Sequence, residues 1–224
     1  MFDYKYKKIL IFDLETTGLN FENDRIIEFA GILLELQDNK YIFTKEVNKL
    51  ISIDFNLPQK IIELTNINDE MLKNEGIEES ELFSLLDPLI NSNTLLVAYN
   101  IQFDLSFLSM FMQKYKGKQY LIKNDILDVF AIYKDRYDYP HKLKDAINTY
   151  KIDAVNSHRA IDDVKATYKI LQAMINENNN IASYINVIGF NPKYRLSGIR
   201  LPHVKYYPHY FKKSDLLNKI QHKF

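Results

Sequence analysis

The chain has 224 residues, of which 46% are hydrophobic and 26% charged, as expected for a globular protein of one domain or of one domain with an appendage. It has no cysteine, which excludes disulfides, thiolate metal sites and cysteine catalysis, and its 29 basic and 29 acidic side chains balance. The sequence shows no long apolar span and no signal peptide, so we expect no membrane partner and a cytoplasmic location.

The order of the predicted elements is typical of an α/β protein. A buried strand is predicted at 8–13, and two more strands at 26–36 and 40–50 are joined at the turn signal "QDN". A further strand follows at 94–100. Helices are predicted at 58–67, 79–90, 104–115, 141–150 and 159–177. Strands first, then strand and helix in alternation, predict a mixed sheet covered by helices.

The two most regular helices show apolar residues at helical spacing. The helix at 104–115 places Leu105, Leu108, Phe111, Met112 and Tyr115 at that spacing. The helix at 159–177 has one apolar face, which we expect to be buried. That face consists of Ile161, Val164, Tyr168, Leu171 and Ile175.

Acidic residues follow or open three of these elements. Asp13 and Glu15 end the first strand and, being two residues apart, share one side of it. Asp104 opens a helix after a buried strand, and Asp163 lies in "HRAIDDVKA". Each has an ordinary explanation on its own, as a solvated strand end or a first-turn acid favoured by the helix dipole. The "TTG" after Glu15 offers hydroxyl and N–H groups to a phosphate, which makes Thr17 a candidate for substrate binding.

Gathered in one cleft, these carboxylates would repel one another and raise each other's pKa, and divalent cations remove that problem. Mg²⁺ or Mn²⁺ suits a site built only from oxygen ligands. Two such ions about 4 Å apart can activate a water and stabilise a leaving oxygen. They would also offset the repulsion between acidic side chains and a phosphodiester.

His158 is the candidate general base, because the unperturbed pKa of histidine lies near neutrality. Residues five apart on an ideal helix point about 140° away from each other. His158 and Asp163 therefore cannot face one site from the middle of a helix. We expect His158 in the loop before the helix and Asp163 in its first turns, with Asp162 pointing elsewhere.

The segments "FDLETTGL", "YNIQFD" and "HRAIDD", in this order and separation, resemble the three motifs of the DnaQ-like DEDDh 3′–5′ exonucleases. The linking segments "RIIEFAGI", "IIELTNINDEML" and "ILDVFAIYK" resemble the same family. The match covers roughly residues 7–175 and is most similar to bacterial proofreading domains of the epsilon and polymerase C types. No tyrosine in the chain is followed by an aspartate four residues later, which favours the histidine subtype over the tyrosine subtype.

The resemblance implies an RNase H-like α/β fold, with a mixed five-stranded central sheet flanked by helices. A C-terminal extension lies outside the resemblance. The resemblance also implies that His158 is the general base and that two divalent cations are bound by Asp13, Glu15, Asp104 and Asp163. The residues implied to line the site of the terminal nucleotide are Thr16, Leu19, Asn100 and Phe103. Two departures from the family leave these ligands intact, namely Tyr99 in place of a frequent histidine and Asn66 in place of a frequent glycine.

The C-terminal residues differ from the rest in charge. The first 189 residues carry 21 basic and 28 acidic side chains, whereas residues 190–224 carry eight basic and one acidic. Polar "NENNN" at 176–180 suggests a boundary, so we expect an exonuclease domain at 1–178 and an extension at 179–224. Basic residues among aromatics suit single-stranded nucleic acid. The alternatives are packing of these aromatics on the body and docking to a protein partner.

The function these patterns favour is metal-dependent 3′–5′ exonuclease activity on single-stranded DNA ends, releasing nucleoside 5′-monophosphates. One alternative is an RNA exonuclease of the same fold, similar to RNase T or oligoribonuclease, and the choice depends on how the 2′-OH is handled. Another is a non-catalytic replication accessory module that binds nucleic acid. We expect any proofreading to require a DNA polymerase in trans.

Overall fold

In a computed structural model, residues 5–91, 93–154, 159–194, 196–209 and 215–221 are described, and they contain one five-stranded sheet. Its strands are β1 (Lys8–Thr16), β2 (Ile26–Gln37), β3 (Lys40–Leu50), β4 (Thr94–Ala98) and β5 (Ile126–Asp128). Their order is β3-β2-β1-β4-β5, with β2 antiparallel to both neighbours and β1, β4 and β5 parallel. The sheet is therefore mixed, as predicted.

Helices cover both faces of this sheet. They are α1 (Gln59–Thr65), α2 (Asp69–Glu75), α3 (Glu79–Leu86), α4 (Ile101–Lys116), α5 (Val129–Arg136), α6 (Leu143–Thr149), α7 (Ala160–Glu177) and α8 (Asp215–Gln221). The helices predicted from the sequence are confirmed within a few residues, whereas α2, α5 and α8 were not predicted. In the described part of the chain, no helix combines the length and apolar character that crossing a bilayer requires.

The alternating side chains of β1 separate two hydrophobic cores. Ile9 and Ile11 pack in the core that includes α5 and α7, whereas Leu10 and Phe12 pack in the core that includes α3 and α4. By the same alternation, the side chains of Asp13 and Glu15 continue the row of Ile9 and Ile11. The strand runs three residues further than predicted because β2 pairs with it as far as Thr16. The two acids consequently lie within the strand.

The buried stripe of α7 differs from the predicted face. Of the five predicted residues, Val164 and Leu171 are fully buried, and the other three are half-buried at the sides of the stripe. The remaining buried positions are Ala160, Ala166, Thr167, Ile170 and Met174. Small residues bring the helix axis close to the sheet, a property that an apolar pattern does not record.

The chain after α7 packs onto the body. A 3₁₀ turn (Ile181–Tyr184) leads to the short strand β6 (Val187–Phe190), a second 3₁₀ turn (Pro192–Tyr194) and the strand β7 (Lys205–Pro208), which pairs with β6 in parallel. Tyr184, Tyr207 and Leu216 lie in the core shared with α5 and α7. The extension thus completes the hydrophobic core, and the proposed boundary near residue 178 separates segments that share it.

The aromatic residues between positions 190 and 224 fall into three groups. Tyr207 is buried and Phe190 and Tyr206 are half-buried, so packing on the body accounts for these three. Tyr194 is 71% exposed. Tyr210, Phe211 and Phe224 lie outside the described residues.

The backbone conformation explains why Asn66 can replace the glycine that is frequent in the family. Asn66 ends α1 in the left-handed region, with φ of 57° and ψ of 20°. Glycine adopts this region most easily and asparagine is the usual second choice. The substitution of asparagine for the family's glycine therefore preserves the turn.

Candidate active site

Three carboxylates meet at the carboxyl end of β1, the central strand of the sheet. Asp13 and Glu15 of β1 and Asp163 of α7 each place one oxygen within 4.8 Å of the others. Asp163 lies in the first turn of its helix, as the spacing argument predicted, and Asp162 is not part of the group. His158 lies outside the described residues, so its role as general base stays a prediction.

Asp104 reaches the same strand from the opposite face of the sheet. It is 3% exposed in the first turn of α4, and its Oδ1 accepts a hydrogen bond of 3.1 Å from the backbone N–H of Leu14. This bond fixes the strand between Asp13 and Glu15. Asp104 borders the group of three carboxylates without belonging to it.

Burial and neighbouring carboxylates raise the pKa of every member of this group. Burial, and then the charges of Asp104 and Asp163, raise the pKa of Asp13 well above its usual range. Burial and the carboxylate of Asp163 raise the pKa of Glu15 to about 8. Burial and the neighbouring Asp162 raise the pKa of Asp163 to about 7. Near neutral pH, bound cations would favour the ionised form of such a group of carboxylates.

The donor atoms fit a divalent cation. The three carboxylates supply only oxygen, which Mg²⁺ and Mn²⁺ prefer to nitrogen or sulfur. Asp163 Oδ1 is buried, yet no hydrogen-bond donor among the described residues reaches it. Such buried polar atoms nearly always have a partner. A bound cation would supply the partner that this oxygen lacks.

Glu28 is a functional candidate that the sequence analysis missed. It is fully buried on β2 and lies directly opposite Glu15 of β1 in the antiparallel register. Its carboxylate accepts hydrogen bonds from Arg159 Nε and NH2, the shortest at 2.7 Å, and from the backbone N–H of Ala160 at 3.0 Å. Glu28 thereby fixes the start of α7 and the segment that carries Asp163. The available signal was an acid in the middle of the apolar run "IIEFAGI".

Asp128 fixes the start of α4 as Glu28 fixes the start of α7, and the sequence analysis missed it as well. Its buried Oδ1 accepts hydrogen bonds from the backbone N–H of Asn100 at 2.9 Å and of Phe130 at 3.1 Å. Asn100 is left-handed, with φ of 67°, at the residue that precedes α4. Burial raises the pKa of Asp128 to about 6, although these hydrogen bonds favour its charged form. Asp128 therefore sets the start of the helix that carries Asp104.

The loop after β1 presents an exposed leucine. Leu19 is 86% exposed, whereas Thr16 and Thr17 are buried. The hydroxyl of Thr16 donates to the carbonyl of Gly18 at 2.6 Å, and the hydroxyl of Thr17 donates to Asp24 Oδ1 at 3.0 Å. Both hydroxyls thus hold the loop that displays Leu19. Direct contact of Thr16 or Thr17 with a nucleotide stays a prediction.

Two further predicted substrate residues lie at the start of α4. Asn100 is exposed, and Phe103 is half-buried with its ring centroid 5.0 Å from that of Phe107. Tyr99, the second departure from the family, donates a hydrogen bond of 2.7 Å to the carbonyl of His141. It therefore supports the segment before α6.

The raised pKa values predict how stability depends on pH. A carboxyl whose pKa is higher when folded stabilises the fold at low pH, and this contribution is lost as pH rises through the folded pKa. For Glu15 that interval runs from its ordinary value of 4.5 to about 8. In chelator, we expect the free energy of unfolding to fall by about 2 kcal/mol over this range, or roughly 4 to 8 °C in Tm.

Thermal unfolding followed by circular dichroism in EDTA, at pH 5, 6.5 and 8, measures this loss. Saturating Mg²⁺ should restore most of the stability at pH 8, because the cation binds the ionised carboxylates. A Tm in EDTA that stays constant or rises with pH over this interval would contradict the predicted electrostatics.

Comparisons with known proteins agree with this geometry. The profile of a family described as RNase_T, exonuclease, matches residues 10–171. The PolC-type DNA polymerase III of Clostridium perfringens is 31% identical over 86% of this chain and 13% of that protein. The corresponding protein of Bacillus subtilis is 30% identical over 75% of this chain and 11% of that protein. The chain thus spans about an eighth of the length of these curated relatives.

Solved structures show the same fold at low identity. The zinc-bound complex of E. coli ExoI with single-stranded DNA has a TM-score of 0.66 and 18% identity, covering 80% of this chain and 42% of that one. Cell-death related nuclease 4 has a TM-score of 0.61 and 16% identity, covering 78% of this chain and 65% of that one.

The mixed five-stranded sheet flanked by helices is the RNase H-like fold of exonucleases. The acidic group at the end of its central strand matches the use of divalent metals that this class implies. Because the family profile spans more than half of the sequence, the chain belongs to the exonuclease family of nucleases.

Proposed function

We propose that the chain is a 3′–5′ exonuclease that removes nucleoside 5′-monophosphates from single-stranded DNA ends. The observation that carries this proposal is the group formed by Asp13, Glu15 and Asp163, with one buried oxygen lacking a partner. Asp13 and Glu15 lie on the strand that leads into the loop with the exposed Leu19.

The proposed cofactors are two divalent cations, Mg²⁺ or Mn²⁺, held by Asp13, Glu15, Asp104 and Asp163. Bound there, they would lower the pKa of a water and offset negative charge on the leaving oxygen. Asp104 already fixes the strand through the Leu14 N–H, so it orients both neighbouring acids. The raised pKa values mean that binding releases protons, which favours activity above neutral pH.

Side chains of the protein carry out proton transfer and substrate positioning in this proposal. His158 accepts the proton of the attacking water, whose oxygen bonds to phosphorus as the bond from phosphorus to the 3′ oxygen breaks. The released 3′ oxygen takes a proton from solvent. Leu19 contacts the terminal base, and Asn100 and Phe103 line the same site. Such placement aligns the scissile bond with the water and supplies much of the rate enhancement.

A DNA polymerase is the proposed partner, supported by the similarity to PolC-type polymerases. The preference for single-stranded DNA is supported by the fold shared with the ExoI–single-stranded DNA complex.

Oligonucleotides labelled at either end, made of DNA or of RNA, test this proposal. With Mg²⁺ or Mn²⁺, we expect the 3′ label to appear at once as a mononucleotide and the 5′ label to appear in a descending ladder. Excess chelator should stop both the release of the 3′ label and the shortening of the 5′-labelled strand, and added metal should restore them. Undiminished activity in chelator would contradict the metal mechanism, early release of the 5′ label would contradict the polarity, and faster cleavage of RNA would contradict the DNA preference.

A further inference from the structure

One segment of the extension is clamped to the first two turns of α4. Gln102 Nε2 donates hydrogen bonds of 2.9 Å to the carbonyls of Ser197 and Ile199, and Ser106 Oγ accepts one of 3.1 Å from the N–H of Ile199. Gly198, with φ of 93°, packs so closely that a Cβ would lie 2.2 Å from Ser106 Oγ. This segment has a fixed position on the helix.

The same turns of α4 carry the proposed nucleotide site. Gln102 directly precedes Phe103 and Asp104, and one turn of helix spans about 5.4 Å. Leu196 and Ile199 pack in the same hydrophobic core as Phe103. The clamped segment therefore forms a wall beside the helix turns that carry Phe103 and Asp104.

The chain on either side of this wall carries exposed cations and an exposed aromatic ring. Tyr194 is 71% exposed, and the ammonium of Lys193 lies 5.5 Å from its ring centroid. The guanidinium of Arg200 lies 5.9 Å from the ring centroid of Tyr206. Neither Lys193 nor Arg200 has an ion-pair partner within the described part of the chain.

The far end of α4 offers a contrast. There Lys114 pairs with Glu79, and Lys116 pairs with Asp87. Arg200 follows the clamped Ile199 and thus lies beside the first turns of α4, and Lys193 and Tyr194 precede the clamped segment by a few residues. Cations beside an exposed aromatic ring form the usual surface for single-stranded nucleic acid, which offers phosphates and flat bases.

We propose that Lys193, Tyr194 and Arg200, here called the rim, bind the nucleotides on the 5′ side of the terminal one. Tyr194 stacks on a base, and Lys193 and Arg200 contact phosphates. This inference rests on the proposed function, and it gives the extension a role in holding a strand longer than the residue being removed.

The test uses full-length variants Tyr194→Ala and Lys193→Gln/Arg200→Gln with two kinds of substrate. The p-nitrophenyl ester of thymidine 5′-monophosphate occupies only the terminal site, whereas a twelve-nucleotide DNA also reaches the rim. Both variants should hydrolyse the ester at the wild-type rate. For the long DNA, KM should rise about tenfold for Tyr194→Ala, in keeping with the loss of one stacked base.

Salt dependence separates the two contacts of the rim. The Lys193→Gln/Arg200→Gln variant should lose about 0.7 per removed phosphate contact from the slope of log affinity against log salt, whereas Tyr194→Ala should keep that slope. Phe43→Ala/Lys45→Gln, on the exposed edge strand β3, is the matched control and should behave as wild type. Deleting residues 190–224 is a poor substitute, because it removes core residues such as Leu201 and Tyr207.

Fluorescence anisotropy with a labelled twelve-nucleotide DNA in Ca²⁺ measures binding without relying on turnover. Wild-type affinity of both rim variants would overturn the proposal, as would an equal loss on the ester and on the long DNA. A wild-type protein that hydrolyses neither substrate would refute the proposed function, and anisotropy would still decide the role of the rim. A surface that serves a protein partner would leave DNA affinity unchanged in the variants, which also overturns the proposal.

Discussion

Replacing Asp163 with asparagine should reduce hydrolysis of a DNA oligonucleotide by about 10³-fold or more while leaving the protein folded. The amide keeps the size of the side chain but removes the charge that a cation requires. Because Asp163 also raises the pKa values of Asp13 and Glu15, its removal should stabilise the metal-free protein. At pH 8 in EDTA we expect Tm to rise by roughly 3 to 6 °C.

Initial rates with Mg²⁺ and thermal unfolding with and without Mg²⁺ measure both effects. Asp162→Asn is the matched control, since this neighbour carries the same charge but lies outside the group of three carboxylates. It should retain most activity and the stabilisation by metal. Normal turnover by a folded Asp163→Asn protein would refute the assignment, and so would an equal loss in Asp162→Asn.

Replacing Glu28 with glutamine should lower both stability and kcat. The buried carboxylate accepts hydrogen bonds from Arg159 and from the N–H of Ala160, and an amide leaves the guanidinium without its counter-charge. Breaking such a pair costs about 3 kcal/mol, or roughly 6 to 12 °C in Tm. Because the pair fixes the start of α7, we expect kcat to fall by about 10- to 100-fold with little change in KM.

Arg136→Gln at the other end of α7 serves as the control for Glu28→Gln. Arg136 hydrogen-bonds the carbonyl of Met174 at 2.7 Å and pairs with Glu177 at 2.9 Å, so its loss should destabilise the same helix. Its kcat, measured well below Tm, should match that of the wild type. If the two variants lost kcat in proportion to their stability, Glu28 would have no positioning role.

Local periodicity accounts for much of the site. The alternation of a strand predicted that Asp13 and Glu15 share a face, and the turn of a helix predicted that Asp163 lies in the first turn of α7. Both predictions depend on residues close in sequence. The prediction that Asp104 joins them came from family resemblance, because its hydrogen bond to Leu14 spans 90 residues.

The features that could not be predicted from the sequence depend on contacts between residues far apart in the chain. The role of Glu28 follows from its position opposite Glu15 in the antiparallel pair and from a bond to Arg159, 131 residues away. The rim depends on bonds between Gln102 and the chain 95 and 97 residues later. These contacts also explain why polar Gln102 and Ser106 are buried on α4.

The central claim is that the carboxylates at the end of β1 form a divalent-metal site. Anomalous diffraction at the manganese edge, from crystals soaked in Mn²⁺ and a nucleoside 5′-monophosphate, tests it most directly. The account predicts two peaks about 4 Å apart among Asp13, Glu15, Asp104 and Asp163. Peaks elsewhere, or none between these carboxylates at saturating Mn²⁺, would contradict it.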